Sequence, residues 1–375
     1  MKRLYLASPH MSDEGYEKEY IKEAFDTNWI APLGENVNKF EEEISKYVDA
    51  KSAAALSAGT AAIHLAIKSA GVQKGDIVFC QSLTFSASAN PIIYENAIPV
   101  FIDSEEETWN MDPKALRKAF EKYPNAKAVI VVNLYGNPAK LDEIKSICDE
   151  YNAILIEDAA ESLGSTYKGK QTGTFGKYGI FSFNGNKIIT TSGGGMLVSD
   201  DEEKISKARF WATQSREKAL HYEHEEIGYN YRMSNICAGI GRGQLKVLNE
   251  RINQKTNIYK KYKDDFLNNE YVEMLPVPEN SIPNHWLSVA TISKNSKVTP
   301  VMIVESLQEK NIEARRVWKP MHMQPIFKDY DFIKVNEEAI SEKLFEIGVC
   351  LPSDTKMAVE EQDTVIQEIQ KLFDK

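Results

Sequence analysis

Between about residues 35 and 200, short apolar runs alternate with segments of helical period, and this alternation constrains the fold more than any other feature of the chain. Phe40, Ile44, Tyr47 and Val48 make one helical face, Ala53 to Ser57 reads as a short buried strand, and Ile63, Leu65, Ala66 and Ile67 lie on the helix that follows. The strand Ile77-Val78-Phe79-Cys80, a helix near Ala87 to Glu95 and the strand Pro99-Val100-Phe101-Ile102 come next; Asp112-Pro113 then supplies an N-cap with proline at the first helical position. Val129-Ile130-Val131-Val132 suits a strand covered on both faces, and a helix around Leu141 to Tyr151 separates it from Ile154-Leu155-Ile156. Ile180 to Phe183 and Met196 to Val198 read as two further strands around a turn rich in Gly, Thr and Ser. The expected class is α/β with a mainly parallel sheet.

The chain of 375 residues exceeds a usual single domain. After about residue 205 its character changes. A long helical stretch from Ser234 to about Phe266 leads into Pro276, Pro278 and Pro283; strand-like Trp286 to Ile292, helix-like Pro300 to Glu309 and a helix near Glu360 to Phe373 follow. The division expected is a large domain over 1–250, including an N-terminal segment, and a smaller C-terminal α+β domain over 251–375.

Subtracting 55 acidic from 45 basic side chains leaves −10, which opposes nonspecific attraction to nucleic acid or anionic lipid. The uncharged stretch Ile77 to Tyr94 carries Gln81, Ser82, Thr84, Ser86, Ser88, Asn90 and Pro91, so no membrane insertion is expected. The apolar run near Met1-Lys2-Arg3 is too short for a signal peptide, which argues for the cytoplasm. Cys80, Cys148, Cys237 and Cys350 stand singly in apolar surroundings and read as reduced thiols. His221 and His224 are spaced i, i+3 without a further ligand pattern, so no metal site is expected.

Asp158 falls just past the C-terminal end of a predicted parallel strand, the edge where open α/β sheets bind ligands. It belongs to Glu157-Asp158-Ala159-Ala160-Glu161, and Ser182-Phe183-Asn184-Gly185-Asn186-Lys187 follows 187−158 = 29 residues later, Asp to Lys. With Asn28-Trp29-Ile30-Ala31-Pro32-Leu33-Gly34, Ser57-Ala58-Gly59-Thr60, Gly193-Gly194-Gly195, Gly228 to Met233 and Lys319-Pro320-Met321-His322, this set resembles the fold-type I pyridoxal-phosphate (PLP) enzymes of aspartate aminotransferase-like architecture. Within them it is similar to the DegT/DnrJ/EryC1/StrS sugar aminotransferases, along essentially the whole chain.

The resemblance implies PLP as cofactor, bonded through its aldehyde to Lys187, whose amine then moves a proton as general base and acid. The small, uncharged surroundings from Asn184 to Gly195 disfavour a solvated lysine. Asp158 would keep the pyridine nitrogen protonated, although alone it reads equally well as a helix N-cap. Gly59 and Thr60, at a predicted strand-to-helix turn, would hold the phosphate with Ser182; an ordinary turn uses the same residues. Phe85 would stack on the cofactor or fill the core, and Glu161 would lie near the cofactor hydroxyl. Asn230 would reach the cofactor phosphate of a second subunit in a homodimer, or serve as a turn residue. Arg216 and Arg232 would meet a nucleotide diphosphate or form plain ion pairs. His322 would touch the sugar nucleotide or be a structural histidine.

Many relatives carry His or Tyr followed by Pro shortly after the Ser-Phe pair, where this chain has Asn184-Gly185-Asn186. That variant looks most similar to the exopolysaccharide and bacillosamine-type enzymes. The implied activity is transfer of an amino group from L-glutamate to C4 of a UDP-linked 4-keto-6-deoxy-N-acetylhexosamine, for surface polysaccharide or glycan synthesis. Two other readings stand beside it. One is a PLP-dependent sugar dehydratase, against which Lys187 speaks because those relatives replace the lysine by histidine; the other is a non-catalytic PLP- or sugar-nucleotide-binding regulator. No GxGxxG follows a predicted strand, which disfavours a nicotinamide enzyme.

Overall fold

In the computed structural model, which describes residues 2–374, the alternating segments build β1 (Ser52–Leu56), β2 (Ile77–Gln81), β3 (Ile98–Ile102), β4 (Ala128–Val132), β5 (Ile154–Asp158), β6 (Tyr178–Ser182) and β7 (Gly195–Ser199). With Phe332–Ile333 they form an eight-stranded sheet in the order β1-β7-β6-β5-β4-β2-β3 and then 332–333. Neighbours run parallel except at β7, which is antiparallel to both β1 and β6.

The continuous apolar runs are explained by two covered faces. Ile130 packs with Val78, Cys80, Ile156 and Ile180 on the side of the helix Gly59–Ser69. Val129 and Val131 point the other way, toward Leu116, Phe120, Leu141 and Ile144 of the helices Pro113–Lys122 and Leu141–Glu150. Side chains alternate across a strand, so a strand sandwiched between helix layers has no polar face to show.

A second sheet is antiparallel throughout, in the order Val272–Met274, Ser288–Ile292, Gly348–Leu351, Arg315–Arg316. The helices Leu248–Asp265, Pro300–Glu309 and Val359–Phe373 cover it, and Ile258, Tyr262, Ile303, Val365 and Ile369 share its core. The chain crosses the expected division at 250 in both directions. Leu4 packs into this second core and bridges Ile312, while Phe332–Ile333 returns to the edge of the large sheet. Long-range packing of Leu4 and strand pairing of Phe332–Ile333 make these crossings, and neither leaves a mark in local periodicity.

The stretch from Ser234 onward is two helices, Asn235–Lys246 and Leu248–Asp265, broken at Val247. Among the described residues no helix is long and apolar enough to cross a membrane. All four cysteines are free thiols.

Candidate active site

The carboxyl ends of the parallel strands open on a cavity of about 330 Å³. Asp158, the last residue of β5, forms its floor and is 5% exposed. Its Oδ2 accepts from Ser88 Oγ at 2.6 Å and its Oδ1 from the Ala160 N–H at 3.2 Å. Burial raises the carboxyl pKa, against these hydrogen bonds and the charge of Lys187. Strand alternation sends the adjacent Glu157 the other way, where it accepts the N–H groups of Gly173 and Gly176 at 2.7 and 2.6 Å, and that of Phe175.

Lys187 projects into the cavity from the tight turn after β6, closed by its own N–H on the Asn184 carbonyl at 3.0 Å. Its Nζ lies 3.4 Å from Glu161 Oε1 and 4.2 Å from the centroid of the Trp286 ring. Glu161 is buried, and its Oε2 accepts the Tyr135 N–H at 2.7 Å. Burial pushes the Glu161 carboxyl up to about 7; Lys187 and the Tyr135 N–H oppose that rise, and the nearby Asp158 adds to it.

At one wall, the helix Gly59–Ser69 begins with Ala58 as its N-cap, which has no side chain able to satisfy the first N–H groups. Gly195 of β7 runs directly against this helix end. A Cβ at Gly195 would lie 2.4 Å from the carbonyl carbon and oxygen of Ala58 and 2.5 Å from the nitrogen of Gly59. An uncapped helix N-terminus, with Thr60 and Ser182 also lining the cavity, is an anion site of phosphate character. Phe85, 59% exposed, stands at the rim with its ring centroid 5.3 Å from that of Trp318. An amine and a carboxylate across one cavity, an unsatisfied helix end and an aromatic wall fit PLP in aldehyde, ring nitrogen, phosphate and ring face.

Seven of the residues singled out from the sequence therefore line one cavity: Gly59, Thr60, Phe85, Asp158, Glu161, Ser182 and Lys187. Four lie outside its lining. Arg232 makes the ion-pair alternative, with Nη1 donating to Glu41 Oε1 at 2.6 Å and to the Ala55 carbonyl at 3.0 Å, while Arg209 takes the other oxygen of Glu41 at 3.0 Å. Asn230 is exposed and bridges Thr213. Arg216 sits over the exposed ring of Tyr222, its guanidinium carbon 5.6 Å from the centroid. His322 lies between Ser82 Oγ at 2.7 Å and Glu342 Oε1 at 3.1 Å and stacks on Phe332 at 3.6 Å; burial lowers its pKa, which favours the neutral ring.

Sequence reasoning missed Ser88, Tyr135, Trp286 and Trp318. Ser88 sits in a run of small residues, Trp286 opens a strand-like apolar run, and nothing in the local sequence marks Tyr135 or Trp318. A cavity of about 430 Å³ at the opposite edge of the sheet is larger. Its Lys145 and Lys177 are paired with Asp149 and Asp201 at 2.6 and 2.7 Å, and no group there faces another as Lys187 faces Asp158 and Glu161.

The DegT/DnrJ/EryC1/StrS aminotransferase family model matches residues 12–370. EpsN of Bacillus subtilis, named for a pyridoxal phosphate-dependent aminotransferase, is 54% identical over 99% of this chain and 96% of its own. GDP-perosamine synthase of Escherichia coli O157:H7 is 34% identical over 100% and 99%. UDP-4-amino-4,6-dideoxy-N-acetyl-beta-L-altrosamine transaminase of Campylobacter jejuni is 33% identical over 79% of each chain. The solved aminotransferase PseC of Helicobacter pylori superposes with a TM-score of 0.91 over 100% of both chains at 22% identity, a likeness of fold. The chain belongs to the DegT/DnrJ/EryC1/StrS aminotransferase family and is a PLP-dependent aminotransferase of fold type I.

Proposed function

We propose that this enzyme acts on nucleotide sugars, moving the amino group of L-glutamate to C4 of a UDP-linked 4-keto-6-deoxy-N-acetylhexosamine, in the cytoplasm and for surface polysaccharide or glycan synthesis. The observation that carries the reading is the placement of the Lys187 amine and the Asp158 carboxylate in one cavity beneath an uncapped helix end.

Bound PLP supplies an electron-withdrawing ring that accepts the charge left when a carbon beside the amine loses its proton. In this proposal Lys187 Nζ removes the proton from Cα of glutamate in the first half reaction and places one on C4 of the sugar in the second. Asp158 would hold a proton on the ring nitrogen, and its hydrogen bonds from Ser88 and Ala160 fix the direction of its oxygens. The N–H groups of Gly59 and Thr60, with the hydroxyls of Thr60 and Ser182, would hold the phosphate. Phe85 would lie against the ring of the cofactor. Glu161, poised near pH 7, can donate to or accept from the cofactor hydroxyl. Asn230, outside the cavity on its own chain, would reach the cofactor phosphate of a second subunit in a homodimer, and Arg216 would meet the nucleotide diphosphate. Arg232 reaches a nucleotide only by leaving Glu41, and His322 only by leaving Ser82 or Glu342.

The UDP and N-acetyl assignments draw on the Campylobacter relative's name and on Asn184-Gly185-Asn186. The perosamine relatives favour a GDP sugar, and the test sets the two side by side. Holoenzyme with L-glutamate receives a UDP-linked or a GDP-linked 4-keto-6-deoxy sugar, and products are read by mass spectrometry with 2-oxoglutarate measured in parallel. Amination of the UDP sugar with equal 2-oxoglutarate release is expected. Amination of the GDP sugar alone would overturn the substrate; loss of water without glutamate consumption would point to a dehydratase; cofactor binding without either product would point to a regulator.

A further inference from the structure

We propose that Trp286 is a positioning residue for the Lys187 amine, holding the lysine side chain with its ring face and the lysine backbone with its indole N–H. The inference rests on Lys187 being the reactive amine.

Trp286 is 2% exposed, and its ring centroid lies 4.2 Å from Lys187 Nζ. Its Nε1 donates to the carbonyl of Asn186, the residue before Lys187, at 2.7 Å. One side chain therefore meets the Lys187 amine and the carbonyl of the peptide group that precedes Lys187. The tryptophan is itself fixed on either side. Its backbone N–H donates to Asn284 Oδ1 at 2.9 Å, and Asn284 Nδ2 donates to the carbonyls of Glu161 and Leu163 at 2.9 and 3.0 Å. Its carbonyl accepts from the buried amine of Lys255 at 3.0 Å, which also donates to the Ser353 carbonyl at 2.6 Å.

The approach of Asn284 needs room that the chain provides at Gly136. There φ is +89°, and a Cβ would fall 1.9 Å from Asn284 Oδ1. The preceding Tyr135, at φ 56°, sends its N–H to Glu161. Glu161 and Trp286, the two groups flanking the Lys187 amine, are thus tied to each other through Asn284 and this turn.

A lysine has four rotatable side-chain bonds, and a proton carrier misplaced by an ångström loses much of its rate. An ammonium is attracted to the face of an indole by the ring quadrupole, and the attraction strengthens away from water. The ring and Glu161 Oε1 together give the amine a defined seat when it is not bonded to a ligand. The indole also sets the turn from which the side chain departs.

The test reads the amine directly and then the reaction. Apoenzyme of wild type, W286F and W286L is exposed to a trace of an amine-acylating reagent at one pH, and modification at Lys187 is measured by peptide mass spectrometry. Leucine removes both the ring face and the N–H and is expected to change Lys187 modification by at least about three-fold; phenylalanine keeps a face but loses the N–H, and its change should fall between wild type and W286L. Equal modification in wild type and W286L overturns the proposal. If W286L fails to fold, W286F decides alone, modification equal to that of the wild type overturning it.

In the holoenzyme, the maximal rate of the glutamate half reaction should fall about five- to thirty-fold in W286L and less in W286F, with the KM for glutamate unchanged. In a K187A background supplied with methylamine as replacement proton carrier, W286L should add no further loss. An equal loss there means that Trp286 serves the fold alone and overturns the proposal. A K187A protein with full turnover would instead remove the assignment of Lys187, a result separate from either outcome at Trp286.

Discussion

The backbone N–H of Tyr135, held at φ 56°, donates to Glu161 Oε2 at 2.7 Å, so one oxygen of a buried carboxylate is fixed by a left-handed turn while the other faces the Lys187 amine. The carboxyl has an ordinary value of 4.5 and is raised to about 7 by burial. An unfolded chain gives up this proton first, so the group costs nothing below about pH 4.5 and its burden grows as pH rises toward 7. Urea unfolding of apoenzyme at pH 5 and pH 8 should show Glu161→Gln relieving a loss on the order of 3 kcal/mol that the wild type suffers between them. Parallel pH dependences in the two proteins would refute the shift.

Glu41 should be worth more to the fold than either arginine that binds it. Glu41→Ala strands the Arg232 guanidinium, 9% exposed, and the Ala55 N–H, which donates to Glu41 Oε1 at 2.7 Å. A loss of about 3–5 kcal/mol in urea unfolding is expected. Arg232→Ala leaves the carboxylate with Arg209 and the Ala55 N–H, so its cost should be smaller, about 1–3 kcal/mol.

Gly195→Ala should weaken cofactor binding while the protein still folds. The added methyl meets Ala58 and the nitrogen of Gly59 and must push back the helix end proposed to hold the phosphate. Titration of apoenzyme with PLP should give a Kd raised about ten-fold or more. An unchanged Kd would place the phosphate elsewhere.

Asp158→Asn removes the charge but keeps an oxygen for the Ser88 hydroxyl. The maximal glutamate half-reaction rate should fall by roughly 10²- to 10⁴-fold, the range expected when a proton-holding group is lost. Stopped-flow absorbance measures it, and a rate within a few-fold of wild type would end the assignment.

The positions of Asp158 and Lys187 could be placed from the sequence because they are local: one ends an apolar strand, the other closes a glycine-containing turn; the roles expected of them came only with the family resemblance. Gly59, Thr60 and Ser182 share that property. Trp286 was not legible, since a tryptophan opening an apolar strand looks like core until the chain is folded and its ring is found against a lysine a hundred residues away. Arg232 shows the converse. The sequence left it between a nucleotide diphosphate and a plain ion pair, and the carboxylate that pairs with it lies 191 positions earlier, on a helix whose charged residues look solvated. The crossing of Leu4 and Phe332–Ile333 between the two cores was hidden for the same reason, long-range packing.

The reversed direction of β7 bears on how the lysine is carried. Because β6 and β7 are antiparallel neighbours, residues 183–194 join them directly at the carboxyl edge, and no crossover helix intervenes. The Lys187 amine hangs from a short bridge anchored at both banks by hydrogen-bonded strands. Each residue inserted into this bridge would move the amine itself.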